Sequence, residues 1–205
     1  MTQSKQDLIG ALELFIKEMR CYIVSLLSQN FEAKWSDKFR EILPLKQQMN
    51  WDKGLNGGIS PNDLIDFHYL KSFSIGYKGL LQPQFGKKTN SLPTWFGEIA
   101  EVRNSLTHFT ALNESDATKG WIHMISIAQI LCLTDLEESL KKIRLSSESV
   151  NIESKKVKKD IVNELSQQPG EERQDENLLN SGEQRVVKPI QTEVIGVFTL
   201  SYFIC

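Results

Sequence analysis

Leu92-Pro93-Thr94-Trp95-Phe96-Gly97-Glu98-Ile99-Ala100-Glu101-Val102-Arg103-Asn104-Ser105-Leu106-Thr107-His108-Phe109 is the stretch on which the reading of this chain turns. Pro93 suits the opening turn of a helix, where its missing N–H leaves nothing unsatisfied. At about 100° per residue, Trp95, Phe96, Ile99, Val102, Leu106 and Phe109 fall on one arc of roughly 140°. Arg103, Asn104, Thr107 and His108 occupy the neighbouring arc. The segment is an amphipathic helix with a guanidinium, an amide and an imidazole on the border of its apolar stripe. That set can grip a phosphate and move a proton without a metal, and its position makes the histidine accessible to solvent or to a second subunit.

Outward from this helix the pattern stays helical. Leu8, Leu12, Phe15, Met19, Ile23 and Leu26 recur at helical spacing, predicting a first helix from about Lys5 to Gln29 capped by Ser4. A second stretch, Glu32 to Met49, carries Trp35, Phe39, Ile42 and Leu43, with a kink or stop at Pro44. Gly54-Leu55-Asn56-Gly57-Gly58 reads as a loop. Ser60-Pro61-Asn62-Asp63 then reads as a helix start, continuing through Leu64, Phe67, Leu70 and Phe73 toward Leu81. Gln82 to Leu92 is a polar loop holding Lys87 and Lys88. Beyond the quoted stretch, Ser115 is the expected cap of a last core helix from about Ala117 to Leu145. The class is all-α, an up-and-down bundle of four to five helices over residues 5–146.

The composition changes after that bundle. Residues 147–188 are polar and charged, predicting a disordered linker. Residues 189–205 end in the apolar, β-prone run Val194–Cys205, which is too short to span a bilayer as a helix. It reads as a truncated strand or a partner-binding strand. The net charge is −2, so no global field draws the chain to a polyanion. Residues 1–146 hold 17 Lys and Arg against 16 Asp and Glu, and residues 147–205 hold 7 against 10. Nucleic-acid binding therefore requires a local patch.

The three cysteines, Cys21, Cys132 and Cys205, form no zinc spacing. Cys21 and Cys132 fall in apolar helical patterns, where buried thiols are common. With no signal-peptide pattern at the N-terminus, the expectation is a cytoplasmic protein with no membrane segment, no metal and no cofactor. Gly54, Gly57 and Gly58 lack the spacing of a phosphate-binding loop. Each candidate residue also has a quieter reading. Arg103 can pair with Glu98, Glu101 or a neighbouring helix. His68 and His123 read as boundary or packing residues, and Trp51, Trp95 and Trp121 as core anchors. Two exposed lysines such as Lys87 and Lys88 are ordinary in any soluble protein.

With its helical bundle and its Arg103, Asn104 and His108 at Arg-x4-6-His spacing, the chain resembles the HEPN superfamily (higher eukaryotes and prokaryotes nucleotide-binding). The resemblance is carried by Leu8–Phe15, Asp63–Phe85 and Trp95–Phe109. It is most similar to the HEPN module of transcript-surveillance endoribonucleases and bacterial defence proteins. Leu106 stands where that subgroup often has an aromatic residue. Thr110 stands where another subgroup has a tyrosine that a transferase can modify.

The resemblance implies a metal-independent endoribonuclease working as a homodimer, in prokaryotic stress or antiviral defence. His108 would take the proton of a ribose 2′-hydroxyl, Arg103 would hold the phosphate, and Asn104 would orient the phosphate or the imidazole. Thr107, Lys87 and Lys88 would contact the substrate. The implied partners are RNA, a second copy, and an antitoxin or larger defence-system partner. A non-catalytic HEPN adaptor, binding RNA or a partner protein, remains the alternative.

Overall fold

Leu8, Leu12, Phe15, Met19, Ile23 and Leu27 are all buried along one face of a single 29-residue helix, α1 (Gln3–Phe31). The computed structural model describes residues 3–107 and 113–149, and every structural statement concerns those residues. After α1 come α2 (Trp35–Glu41), α3 (Leu45–Asn56), α4 (Pro61–Leu64), α5 (Phe67–Gly76) and α6 (Lys78–Phe85). They are followed by α7 (Leu92–Thr107), α8 (Glu114–Ile130) and a final helical stretch, α9, over residues 134–149. Short 3-10 turns cover Glu32–Lys34 and Gly86–Ser91. Among the described residues there is no strand, and the fold is all-α. Within it α7 is central: α5 and α8 both pack along it, and α1 contacts α7 and α8.

The packing follows the apolar arcs. Phe96 and Ile99 are fully buried on α7, and Val102 and Leu106 nearly so. Phe15 of α1 stacks on Phe67 at 6.4 Å between ring centroids and meets Phe96 at the same distance. Burying one such phenyl ring favours folding by about 2–3 kcal/mol. A second aromatic knot joins Phe39, Trp51 and Tyr69, with Trp51 5.0 Å from Phe39 and perpendicular to Tyr69 at 5.5 Å. Gly120 lets α8 come close to α7, since a Cβ there would lie 3.3 Å from Val102 Cγ1.

The helices are shorter than the periodicity predicts, and each break has a local cause. The Glu32–Met49 stretch divides into a 3-10 turn, α2 and α3, with Pro44 extended at ψ 150° as the residue before α3. α3 runs on to Asn56, so Gly54 is helical and the loop begins only at Gly57. Ser60 accepts from Asn62 N–H and Pro61 opens a helix, but only as far as Leu64. The chain is extended at Ile65 and Asp66 before α5 starts. Ile65 is fully buried and its carbonyl accepts from Arg20 Nε at 2.6 Å, so α1 ties down the break.

The Gln82–Leu92 loop is helical or 3-10 throughout, with Thr89 buried. The long Ala117–Leu145 helix is interrupted at Leu131–Leu133. There Cys132 has φ 56°, its N–H bonds to Gln129 O, and Leu133 N–H bonds to Ala128 O. That is a left-handed C-terminal cap in which glycine usually stands. Cys132 is consequently exposed, as is Cys21, and the buried-thiol expectation is corrected for both.

Candidate functional site

α7 presents Arg103, Asn104 and Thr107 together on its last described turn, beside the buried Val102 and Leu106. The Arg103 side chain is 40% exposed. Among the described residues its polar partners are Asn104 Oδ1, to which Nη1 donates at 3.4 Å, and Asp66 Oδ2, 3.8 Å from Nη2. Glu98 and Glu101, the carboxylates closest on its own helix, are not those partners. The Thr107 hydroxyl donates to the Asn104 carbonyl at 2.9 Å. It is anchored to its own helix, with oxygen lone pairs left for other contacts. Arg103, Thr107, Asp66, Phe67 and Leu106 line a cavity of about 280 Å³, whose far wall is the apolar side of α1 with Glu13 at its edge. His108 follows Thr107 directly and lies outside the described residues, as do Phe109 and Thr110.

Asp66 and His68 are the residues that sequence reasoning missed. Asp66 caps α5, its Oδ1 accepting from Phe67 N–H at 2.7 Å, and its other oxygen faces both Arg103 and His68. His68 Nδ1 stands 3.6 Å from that oxygen, and its ring packs on Tyr69 with centroids 3.8 Å apart. The imidazole of His68 is the largest influence holding the Asp66 carboxyl below the usual carboxylate range. Partial burial opposes it, while the Phe67 N–H and the Arg103 charge assist. The carboxylate is therefore firmly ionised beside the guanidinium. A readable signal existed: an aspartate immediately before the periodic Phe67, Leu70 and Phe73 has the form of a helix cap.

Lys87 and Lys88 are not brought to this site. They sit on the 3-10 turn before α7 and line a separate groove with Trp95. Trp51 and Trp121 are buried as expected, whereas Trp95 is only partly covered. His123 is the packed histidine, its Nε2 2.5 Å from Glu98 Oε2 and its ring stacked on Trp95. His68 lies at the surface. Among the described residues no group of three or more His, Cys, Asp and Glu is arranged to hold a metal ion. No helix among them is long and apolar enough to cross a membrane.

A helical bundle that displays an arginine–asparagine pair at the border of a buried stripe, with a histidine four residues on from the asparagine in the sequence, has the form of a HEPN domain. The family model described as Swt1-like HEPN matches residues 10–131, more than half of the chain, and the chain belongs to that family. The match runs from within α1 through α5 and all of α7 to the turn after α8. No curated protein and no solved structure matches the chain.

Proposed function

We propose that the chain is a metal-independent endoribonuclease that acts as a homodimer in prokaryotic stress or antiviral defence. The observation that carries this reading is the half-exposed Arg103 guanidinium, oriented by Asp66 and Asn104 at the rim of a cavity. A partly exposed arginine paired to a neighbouring helix is ordinary by itself; what supports the reading is that this one lies at a cavity rim with Asn104 beside it and His108 five residues on in the sequence.

The reaction uses elementary proton and phosphate chemistry. The His108 imidazole takes the 2′-hydroxyl proton, and the resulting oxygen attacks the adjacent phosphorus. The P–O5′ bond breaks, leaving a 2′,3′-cyclic phosphate. Arg103 holds the charge gathering on the non-bridging oxygens. The departing 5′-oxygen needs a proton, and one imidazole cannot give and take at the same moment. A second copy related by a two-fold axis would supply the partner subunit's His108. Asn104 orients the phosphate, and Asp66 and His68 keep the guanidinium aimed.

The test is cleavage of single-stranded RNA by the full chain in the presence of a chelator. Wild type is expected to give fragments with cyclic phosphate ends, and Arg103→Ala and His108→Ala to lose about 10²–10³ in rate. Overexpression of wild type but not of these variants should arrest growth. Undiminished cleavage by both variants removes the nuclease reading. RNA binding without turnover by wild type leaves the adaptor.

A further inference from the structure

The two lysines absent from the Arg103 site define a site of their own. Between α6, the following 3-10 turn, α7 and α8 runs a groove of about 650 Å³. That volume lies within the range of sites that hold a small organic ligand. Lys87 and Lys88 stand on one bank, Trp95 and Ile130 contribute apolar wall, and Gln84 and Gln129 contribute amides. No carboxylate belongs to its described lining. Glu137, which reaches the lining residue Gln129, is also engaged by Lys141.

The groove is held rather than loose. Gly86, at φ 70°, takes a conformation that a side chain would strain. The buried Thr89 donates its hydroxyl to the Gly86 carbonyl at 2.8 Å and closes the turn bearing the lysines. The backbone that carries both lysines is thus pinned. The indole of Trp95 is fixed as well, stacked on His123 at 5.5 Å and 16°, with His123 in turn fastened to Glu98. A pinned aromatic beside paired cations is the combination that takes single-stranded nucleic acid, with bases stacking on the ring and phosphates meeting the ammonium groups.

We infer that this groove is a second RNA subsite, which takes a single-stranded segment with a base on Trp95 and its phosphates on Lys87 and Lys88. The inference rests on RNA as the substrate of the Arg103 site. Trp95 and Arg103 share one helix, eight residues and roughly 12 Å of axial rise apart. Ile99, midway between them on α7, is fully buried, so a strand that engages both crosses the surface of the neighbouring helices. The groove therefore acts on affinity and on the choice of single-stranded over duplex substrate, while the bond is cut elsewhere. It also supplies the local patch that a chain of net charge −2 needs to bind a polyanion.

The probe is a fluorescein-labelled 2′-O-methyl oligouridine of roughly 12 nucleotides, inside the 4–16 range that such surfaces cover. It lacks the attacking hydroxyl, so wild type can be measured directly by anisotropy. Lys87→Ala with Lys88→Ala, both exposed positions, should weaken binding at least tenfold. The double variant should also flatten the log–log salt slope by about 1.4, at roughly 0.7 per phosphate of a single strand. Trp95→Leu should weaken it about tenfold and Trp95→Phe far less, because a ring remains.

Unchanged affinity and slope in the lysine variant overturn the subsite, whatever Arg103→Ala does to cleavage. An equal loss toward a duplex RNA of the same length overturns the stacking assignment. Loss of oligouridine binding in the lysine variant, alongside undiminished cleavage by both Arg103→Ala and His108→Ala, keeps the subsite and removes the nuclease reading of the Arg103 site.

Discussion

Asp66 and Arg103 meet across the contact between α5 and α7, Oδ2 to Nη2 at 3.8 Å, with the carboxylate itself anchored to Phe67 N–H. The distance is ionic rather than hydrogen-bonded. It orients the guanidinium without saturating it. Asn also caps helices well, so Asp66→Asn should fold normally while releasing Arg103. The expected outcome is a fall of about tenfold in kcat for RNA cleavage with KM little changed. Asp66→Ala should lose the cap as well, about 1 kcal/mol of stability in a urea titration. Wild-type kcat in Asp66→Asn would show that Arg103 aims itself.

Asp66 also makes stability depend on pH in a defined direction. Its folded carboxyl titrates below the unfolded one, chiefly because of the His68 imidazole beside it and with help from Arg103. A depressed carboxyl stabilises the fold above its unfolded pKa, and that contribution is lost as pH falls through the folded pKa. The difference in unfolding free energy between wild type and Asp66→Asn should therefore be present above the aspartate range. It should close as pH drops below about 4, the ordinary aspartate value. Urea midpoints measured from pH 5 to pH 3 check this, and a gap that widens over that interval contradicts the assignment.

The α7 helix was legible because one segment contains its whole argument. Apolar positions at helical spacing place Phe96, Ile99, Val102 and Leu106 inward, and Arg103 and Asn104 follow on the flank. Asp66 was not legible as a site residue, because its partner lies on another helix and only tertiary packing joins them. The breaks at Ile65 and Cys132 were hidden for a different reason. Neither carries a glycine or proline, and the apolar pattern runs straight through both. Ile65 is held extended by Arg20 of α1, and Cys132 adopts a left-handed cap without the residue that normally announces one. Lys87 and Lys88 read as substrate contacts because both are cationic. Their actual neighbours, Trp95 and Gln129, are fixed by how α6 and α8 flank α7.

Two glycines in helices should respond to alanine with opposite signs. Gly10 lies inside α1 with nothing within 4 Å of the added Cβ, so Gly10→Ala removes chain freedom from the unfolded state at no steric cost. It should raise stability by about 0.5–1 kcal/mol. At Gly76, the last residue of α5, a Cβ would stand 2.7 Å from Ile42 Cβ. Gly76→Ala should cost about 1–3 kcal/mol as α5 and Ile42 are forced apart. Denaturant midpoints at constant slope decide both, and a stabilising Gly76→Ala would mean that Ile42 is not where it stands.

The cap of α8 discriminates between two neighbouring residues. Ser115 has the residue type, but it sits inside the first turn, while Asn113 has the extended backbone at φ −76° and ψ 158° that a cap requires. Asn113 Oδ1 accepts from Asp116 N–H at 2.7 Å, and its Nδ2 donates to Asp116 Oδ2 at the same distance. Asn113→Ala removes both bonds and leaves an N–H of the first turn to solvent alone, so it should cost about 1 kcal/mol. Ser115→Ala should change stability by less than about 0.5 kcal/mol, as exposed substitutions usually do. Because α8 packs on α7, part of the Asn113→Ala loss should appear as faster amide exchange in the first turns of α8, with the α7 core protected as before. The reverse order of the two variants would move the start of α8 by two residues and with it the face that α8 turns toward Val102.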